Sequence, residues 1–149
     1  QLAIRLLKRR GAHRTTPPEW IGNTLNVMGE RASIFWVGGA PGVVEEAAKC
    51  FEARFGVRTV GVQHGFFDIS PDSPDSEALL ARIKAAAPNI VLVNMGMPRQ
   101  ERWLYENWPM LPPCVAITGG ALVDHAAGVC TGRRAGLPIL AWNGWCGSS

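Results

Sequence analysis

Arg99, Gln100 and Glu101 stand together where an apolar stretch (89–96) meets Pro98 and a helical pattern. Proline at the first turn of a helix leaves the N–H groups of that turn free, so these side chains occupy an end that attracts anions. Gln100 both donates and accepts, which suits recognition of a hydroxyl or a uracil edge. An ordinary helix start explains Glu101 but not the whole cluster. We expect Gln100→Ala to weaken ligand binding and leave the fold intact.

A glycine-rich turn, "GGAPG", begins at Gly38 and Gly39 and joins an apolar stretch to a helical pattern. Glycines let the backbone approach a ligand closely, and the helix N-terminus that follows attracts phosphate. A tight turn with close packing is the alternative. The spacing differs from G-x-G-x-x-G, and no acidic residue closes the next strand, so an NAD-dependent oxidoreductase is disfavoured.

The stretch "VQHGFF" (62–67) contains His64, Gly65 and Phe66 at the end of a second apolar run. His64 could donate a hydrogen bond to a phosphate or a sugar hydroxyl, and Gly65 and Phe66 could line a base or sugar pocket. A lone histidine is also commonly a local hydrogen-bonding group, and that alternative stays open.

A fourth stretch, "ITGGALVDHAAG" (117–128), repeats the arrangement with Gly119, Gly120 and Asp124. Asp124 could hold a sugar hydroxyl or act as an acid or base. A salt bridge, or a carboxylate that simply favours the helix dipole, explains the same residue equally well.

The elements that carry these residues alternate along the chain. Four apolar, β-rich stretches are largely continuous rather than alternating, as in strands covered on both faces. They are 33–39, 58–65, 89–96 and 114–120, and helical patterns occupy 43–55, 76–87 and 98–108. This order predicts a single α/β domain, with a Rossmann-like, mostly parallel sheet and helices on both faces. Ligands of such sheets bind at the carboxyl ends of the strands, where all the candidate residues lie.

Further helices are expected near the N-terminus, at about 2–7 and 20–28, separated at Pro17 and Pro18. After Gly128 the chain has neither a clear strand nor a capped helix. We therefore expect a core at 1–129 and a divergent, poorly ordered tail at 130–149.

Composition excludes several classes of protein. The net charge of +3 comes without a dense basic block after the first ten residues, so nucleic-acid binding is not indicated. No apolar run reaches the roughly 18 residues that a membrane span needs. The cysteines show no C-x-x-C pair, which argues against structural zinc and for free thiols in a reducing compartment. They are Cys50, Cys114, Cys130 and Cys146.

The motifs in this order resemble those of the bacterial WecG/TagA/CpsF glycosyltransferases (glycosyltransferase family 26). "VGGAPG" (37–42) is similar to the family's "GGxPG" turn, and "GVQHGFF" (61–67) to its "G-x-x-x-G-[YF]-F" strand end. "PNIVLVNMGMPRQERW" (88–103) matches "P-D-x-x-x-V-x-x-G-x-P-x-Q-E" except at Asn89. "TGGALVDHAAG" (118–128) matches "G-G-A-x-x-D-x-x-A-G".

The resemblance implies metal-independent, inverting transfer of a hexose-type sugar from a UDP-sugar to a polyprenyl-diphosphate-linked saccharide, without a cofactor. In the family this serves teichoic acid, enterobacterial common antigen or exopolysaccharide synthesis for the cell envelope. It implies a cytoplasmic protein at the inner face of the cell membrane, and no nucleic-acid partner. The donor site would comprise Gly38, Gly39, His64, Gly65, Phe66, Arg99, Gln100, Glu101, Gly119, Gly120 and Asp124.

Departures from the family pattern put catalysis in doubt. The family's N-terminal segment with a presumed base aspartate is not found, so the catalytic base is unknown, with Asp124 a provisional candidate. The family's "R-A-P" corresponds to "RRAGLP" (133–138), and its membrane-docking ending is not recognisable. We expect weak or absent catalysis by this chain, and an inactive nucleotide-sugar-binding remnant is the alternative function.

Overall fold

The computed structural model describes residues 17–70 and 72–130. Four strands alternate with helices in this part of the chain. The strands are β1 (Ser33–Gly38), β2 (Arg58–Gln63), β3 (Ile90–Asn94) and β4 (Val115–Thr118). The α-helices are α1 (Pro17–Met28), α2 (Val43–Phe55), α3 (Pro74–Ala86), α4 (Arg99–Asn107) and α5 (Leu122–Cys130). Short 3₁₀ turns follow α1, at Gly29–Arg31, and α4, at Trp108–Met110.

The strands form one parallel sheet in the order β2-β1-β3-β4. At its centre, Trp36 of β1 lies opposite Val62 of β2 and Leu92 of β3. All residues of β1 and β3 are buried, as expected for strands covered on both faces. Residues of the edge strands β2 and β4 are only partly buried, so that expectation holds for the two central strands alone.

Each face of the sheet has its own hydrophobic core, because inward side chains alternate along the buried strands. One core joins Ile34, Trp36 and Leu92 to α1, α2 and α5. The other joins Phe35, Val37, Val91 and Val93 to α3 and α4. Helices therefore cover both faces, and the predicted α/β, Rossmann-like single domain is confirmed.

Aromatic side chains fasten α2 to the sheet. Phe51 meets the ring of Trp36 edge-on at 5.0 Å and that of Phe55 at 5.2 Å. The indole N–H of Trp36 donates to the hydroxyl of Thr59 at 3.2 Å, so the large buried ring has its polar atom satisfied. These contacts hold the C-terminal half of α2 against the sheet.

The amino ends of β1 and β3 are joined by one side chain. Asn89 accepts a hydrogen bond from the N–H of Ser33 at 2.9 Å and donates to the carbonyl of Arg31 at 2.6 Å. Both polar atoms of its amide are therefore used. Asn89 aligns the two central strands at the edge opposite their carboxyl ends.

Helix bounds follow the local signals. The pattern at 43–55 is confirmed to the residue, and the helix expected at 76–87 begins earlier, at Pro74. Ser73 caps it by accepting from the N–H of Ser76 at 3.1 Å. The helix expected at 98–108 is shorter, because the chain tightens into a 3₁₀ turn at Trp108. The helix expected at 20–28 is confirmed as α1, and it begins at Pro17 because proline suits a first turn.

The remaining expectations concern the cysteines, the two ends of the chain and membrane-spanning helices. Cys114 is a free thiol whose partial burial raises its pKa, but Cys50 is disulfide-bonded, so the expectation of free thiols is wrong there. The segment at 2–7 and the proposed tail, apart from Cys130 at the end of α5, lie outside the described residues. None of the described helices has the length and apolar character required to cross a bilayer.

Gly38, at the end of β1, provides a test of this packing. Its φ is +130°, and a Cβ added there would lie 2.2 Å from the carbonyl oxygen of Asn94. We expect Gly38→Ala to lower the free energy of unfolding by about 3 kcal/mol, since unfavourable φ and overpacking each cost about 1–3 kcal/mol. Urea denaturation measures this.

Gly56→Ala is the matched control. Gly56 also has a positive φ, +64°, but a Cβ there would meet nothing within 4 Å. Strain alone should cost this variant about 1 kcal/mol. Equal losses in the two variants would contradict the close approach of β1 to β3.

Candidate functional site

A cleft of about 750 Å³ opens at the carboxyl edge of the sheet. The chain passes from β1 to β2 on one side and then to β3 on the other, so the strand order reverses between β1 and β3. Ligands of open parallel sheets bind at such a reversal. The lining residues come from the end of β3, the turns after all four strands and the first turns of α4 and α5. They are Gly39, Ala40, Gly65, Phe66, Phe67, Asn94, Met95, Gly96, Arg99, Gly120, Ala121 and Asp124.

The structure brings part of the predicted site together. The predicted residues that line the cleft are Gly39, Gly65, Phe66, Arg99, Gly120 and Asp124. Those that do not are Gly38, His64, Gln100, Glu101 and Gly119. The shared edge was therefore anticipated, but the side chains that face it differ from the set chosen by motif.

Backbone hydrogen bonds hold the strand ends against one another. The N–H of Gly39 donates to the carbonyl of Asn94 at 3.1 Å, and the N–H of Gly65 donates to the carbonyl of Gly39 at 2.8 Å. The N–H of Gly119 donates to the carbonyl of Val93 at 2.7 Å. These bonds link the turn after β2 to the turn after β1, and they link the turns after β1 and β4 to the end of β3. The floor of the cleft is therefore one hydrogen-bonded surface.

Arg99 is the cation among the lining residues. Its Nη2 donates to the carbonyl of Gly65 at 3.2 Å and to the carbonyl of Phe67, and its guanidinium lies 5.8 Å from the centre of the Phe67 ring. Arginine has five N–H donors, so others remain for a ligand. Arg99 therefore ties the β2 loop to α4 and presents positive charge to the cleft.

The loop after β2 is held by its own hydrogen bonds. Asp68 accepts from the hydroxyl of Ser70 at 2.6 Å and from its N–H at 2.8 Å. These two hydrogen bonds lower the pKa of the Asp68 carboxyl, and the Arg99 guanidinium adds to the effect. The hydroxyl of Ser73 donates to the carbonyl of Asp68 at 2.7 Å. The loop that carries Phe66 therefore has internal support.

Two backbone N–H groups at the cleft are free to bind an anion. Ala40 and Ala121 precede α2 and α5, and their N–H groups donate to no acceptor within the described part of the chain. Both lie just ahead of helix N-termini, which carry partial positive charge. Together with Arg99 they offer donors for an anion on one part of the cleft lining, and Asp124 supplies a carboxylate on another.

The side chain of Gln100 is hydrogen-bonded within the protein, and its contact with a ligand stays a prediction. Only 3% of it is exposed, and its Oε1 accepts a hydrogen bond from the N–H of Gly120 at 3.1 Å. Its Nε2 donates to the Oε1 of Glu101 at 2.6 Å. Gln100 connects the first turn of α4 to the turn before α5. It positions one wall of the cleft and does not face the ligand space in this structure.

The other predicted polar residues separate in the same way. The Nδ1 of His64 accepts from the N–H of Phe66 at 3.2 Å, so His64 shapes the loop, as the alternative interpretation allowed. Glu101 is exposed and accepts a hydrogen bond from the side chain of Gln100. Asp124 lies in the first turn of α5, is exposed and lines the cleft, where it can accept hydrogen bonds from a ligand.

Sequence reasoning missed several lining residues. Asn94 is the polar end of the buried strand "IVLVN", and only 3% of it is exposed. A polar side chain at the end of an otherwise apolar central strand was a visible signal. The others offered no chemical signal, because Ala40, Gly96 and Ala121 contribute backbone and Met95 and Phe67 resemble core residues.

The bridge made by Gln100 can be tested through stability. We expect Gln100→Leu to lower the free energy of unfolding by about 1–3 kcal/mol, because the N–H of Gly120 loses its acceptor. Thermal and urea denaturation measure the loss.

Gln63→Leu is the matched control for this change. The Gln63 amide oxygen accepts from Arg82 at 2.6 Å in an exposed pair, so its loss should cost no more than about 0.5 kcal/mol. If Gln100 only contacted ligand, Gln100→Leu would be as stable as the parent, contrary to this assignment.

The comparison with known proteins agrees with the order of motifs around the cleft. The model of the "Glycosyl transferase WecG/TagA/CpsF family" matches residues 1–135, which include every strand, every helix and every lining residue described above. The resemblance is therefore confirmed over most of the chain. This chain belongs to the WecG/TagA/CpsF family of glycosyltransferases.

Proposed function

We propose that the cleft binds a UDP-sugar and that the chain serves transfer of a hexose-type sugar to a polyprenyl-diphosphate-linked saccharide. The observation that carries this is the convergence of Arg99 with the free N–H groups of Ala40 and Ala121 at the strand reversal. Family membership implies a nucleotide-sugar donor and a saccharide acceptor. Beyond what family membership implies, we propose that the base is uracil, that the transferred sugar is a hexose and that the acceptor is carried on a lipid.

The diphosphate would lie against Arg99 and the helix N-termini. A diphosphate ester carries negative charge and many acceptor oxygens, and a guanidinium offers paired donors that match them. Backbone N–H groups ahead of α2 and α5 add donors without side-chain entropy. This arrangement suits a site in which protein groups take up the phosphate charge, so we propose metal-independent transfer.

The base would lie against Phe66. This ring is 73% exposed although it lines the cleft, and an exposed aromatic face suits stacking with a base. Met97, next to the lining residue Gly96, exposes 84% of its surface and adds apolar area nearby. Exposed apolar residues also suit the approach of a lipid-linked acceptor. We therefore propose that the protein acts at the inner face of the cell membrane.

Inverting transfer requires an acceptor hydroxyl oxygen to bond to the anomeric carbon while the bond from that carbon to the diphosphate breaks. UDP leaves, and a base takes the hydroxyl proton. Asp124 is the carboxylate among the lining residues and is our candidate for this role or for holding a sugar hydroxyl.

A second candidate is a nucleotide-sugar-binding chain without transfer activity. It is favoured by the position of Asp124 in the first turn of α5, where a carboxylate also stabilises the helix dipole. In that case the cleft retains its affinity for UDP and lacks a base.

Arg99 offers a direct test of donor binding. We expect Arg99→Leu to raise the Kd for UDP at least tenfold, which is about 1.4 kcal/mol, because a charge-assisted interaction is lost. Isothermal titration calorimetry with UDP and with NAD measures this, and the parent chain should prefer UDP.

Arg102→Leu provides the control on the same helix. Arg102 is exposed and pairs with Glu106 at 2.9 Å, away from the lining residues. Its substitution should leave the Kd for UDP unchanged. Equal affinities for both variants would argue against phosphate binding at Arg99.

Transfer itself is tested with a radiolabelled UDP-sugar and a polyprenyl-diphosphate-linked acceptor. We expect Asp124→Asn to slow transfer by about 10²- to 10⁴-fold, since this is the range for a general base, with little change in UDP affinity. EDTA should leave the rate unchanged. UDP binding without transfer by the parent chain would favour the second candidate, and loss of the rate in EDTA would contradict metal independence.

A further inference from the structure

Asn94 carries an acceptor that nothing in the described part of the chain satisfies. The residue is 3% exposed and lines the cleft, and its Oδ1 is buried without a hydrogen-bond donor. Leaving a buried polar group unpaired destabilises the folded state. Buried polar atoms in folded proteins usually have partners, so this one requires an explanation.

The amide nitrogen and the main-chain carbonyl of Asn94 are both engaged. Its Nδ2 donates to the carbonyl of Leu92 at 3.1 Å, which fixes the identity of the amide oxygen. Its carbonyl accepts from the N–H of Gly39 at 3.1 Å. Oδ1 is therefore the unsatisfied side-chain atom of a residue whose main chain is anchored at the strand reversal.

Glycine next to this oxygen preserves its space. A Cβ added at Gly119 would lie 2.1 Å from Oδ1, so a side chain there would displace the amide. The terminal torsion of asparagine is broad, so the amide can rotate away from Gly119 and present Oδ1 to the cleft that Asn94 lines. This rotation gives up the hydrogen bond from Nδ2 to the carbonyl of Leu92. A donor on the ligand would then supply the missing hydrogen bond.

We propose that Asn94 recognises a neutral hydrogen-bond donor of the bound sugar nucleotide, a hydroxyl or the imide N–H of the base. An amide oxygen only accepts, and an ionised diphosphate has no hydrogen to give, so Oδ1 of Asn94 cannot serve the phosphates. This inference rests on the proposed function and deepens it. Arg99 and the helix N-termini bind the charged diphosphate, and Asn94 selects for an uncharged group of the sugar nucleotide.

The recognition is selective because of burial. A buried acceptor discriminates against ligands without a matching donor, since such a ligand leaves the acceptor unpaired. The motif "P-D-x-x-x-V-x-x-G-x-P-x-Q-E" specifies no residue at position 94. Asn94 is thus a specificity-determining residue of this chain that the motif does not contain.

The test combines affinity and stability in Asn94→Ala. We expect its Kd for the recognised ligand to rise about tenfold. Its melting temperature should fall as well, because the substitution also removes the hydrogen bond from Nδ2 to the carbonyl of Leu92. Uridine, UDP, UDP-glucose and UDP-N-acetylglucosamine are titrated in turn. A loss already present with uridine or UDP assigns the donor to the base or ribose, and a loss confined to the sugar nucleotides assigns it to a sugar hydroxyl.

Asn89→Ala is the matched control. Asn89 directly precedes β3, whereas Asn94 is its last residue. Asn89 has both amide atoms paired, to Ser33 and Arg31, so its loss should lower the melting temperature and leave every Kd unchanged. Asn94→Ser is the second variant, should Asn94→Ala fail to fold.

The possible results distinguish failure of the Asn94 inference from failure of the proposed function. If the parent binds UDP or a UDP-sugar and the folded Asn94 variants bind all ligands equally well, the Asn94 inference is overturned and the proposed function stands. If the parent binds none of the probes, both are overturned. If the melting temperature falls while affinity is unchanged, Asn94 is structural.

Discussion

The whole site depends on how closely the carboxyl ends of β1 and β3 approach each other. Gly38 passes so near the carbonyl of Asn94 that a single added carbon would lie 2.2 Å from the oxygen, and the N–H of Gly39 then bonds to that same carbonyl. Because the strand order reverses between these two strands, their helices depart to opposite faces. The cleft is the space that this divergence leaves open.

The first turn of α4 combines two tasks in adjacent residues. Arg99 points to the loop after β2 and lines the cleft, whereas Gln100 is buried and holds the turn before α5. Neighbouring positions on a helix face different directions, so one polar cluster reaches two sides of the site. The polar start of this helix after an apolar strand is thus explained by two walls of the cleft meeting there.

Donors and acceptors both occur among the residues that line the cleft. Arg99 and the N–H groups of Ala40 and Ala121 are donors, whereas the side chains of Asn94 and Asp124 offer acceptors. A nucleotide sugar has the same division, with a charged diphosphate between uncharged groups rich in donors. This correspondence links membership of the glycosyltransferase family to the particular residues of this chain.

The sequence by itself determined the parallel sheet, its helices and the edge at which the site lies. Continuous apolar strands ending in glycine and alternating with helical patterns leave few other packings, and the pattern at 43–55 matched α2 to the residue. Only the tertiary structure decided which side chains face the cleft. Motif letters carry no direction, and only the structure showed that Gln100 and His64 accept hydrogen bonds from the N–H groups of Gly120 and Phe66. Asn94 became a candidate for the converse reason, because an unpaired acceptor is recognised only when every neighbour that could pair with it is in place.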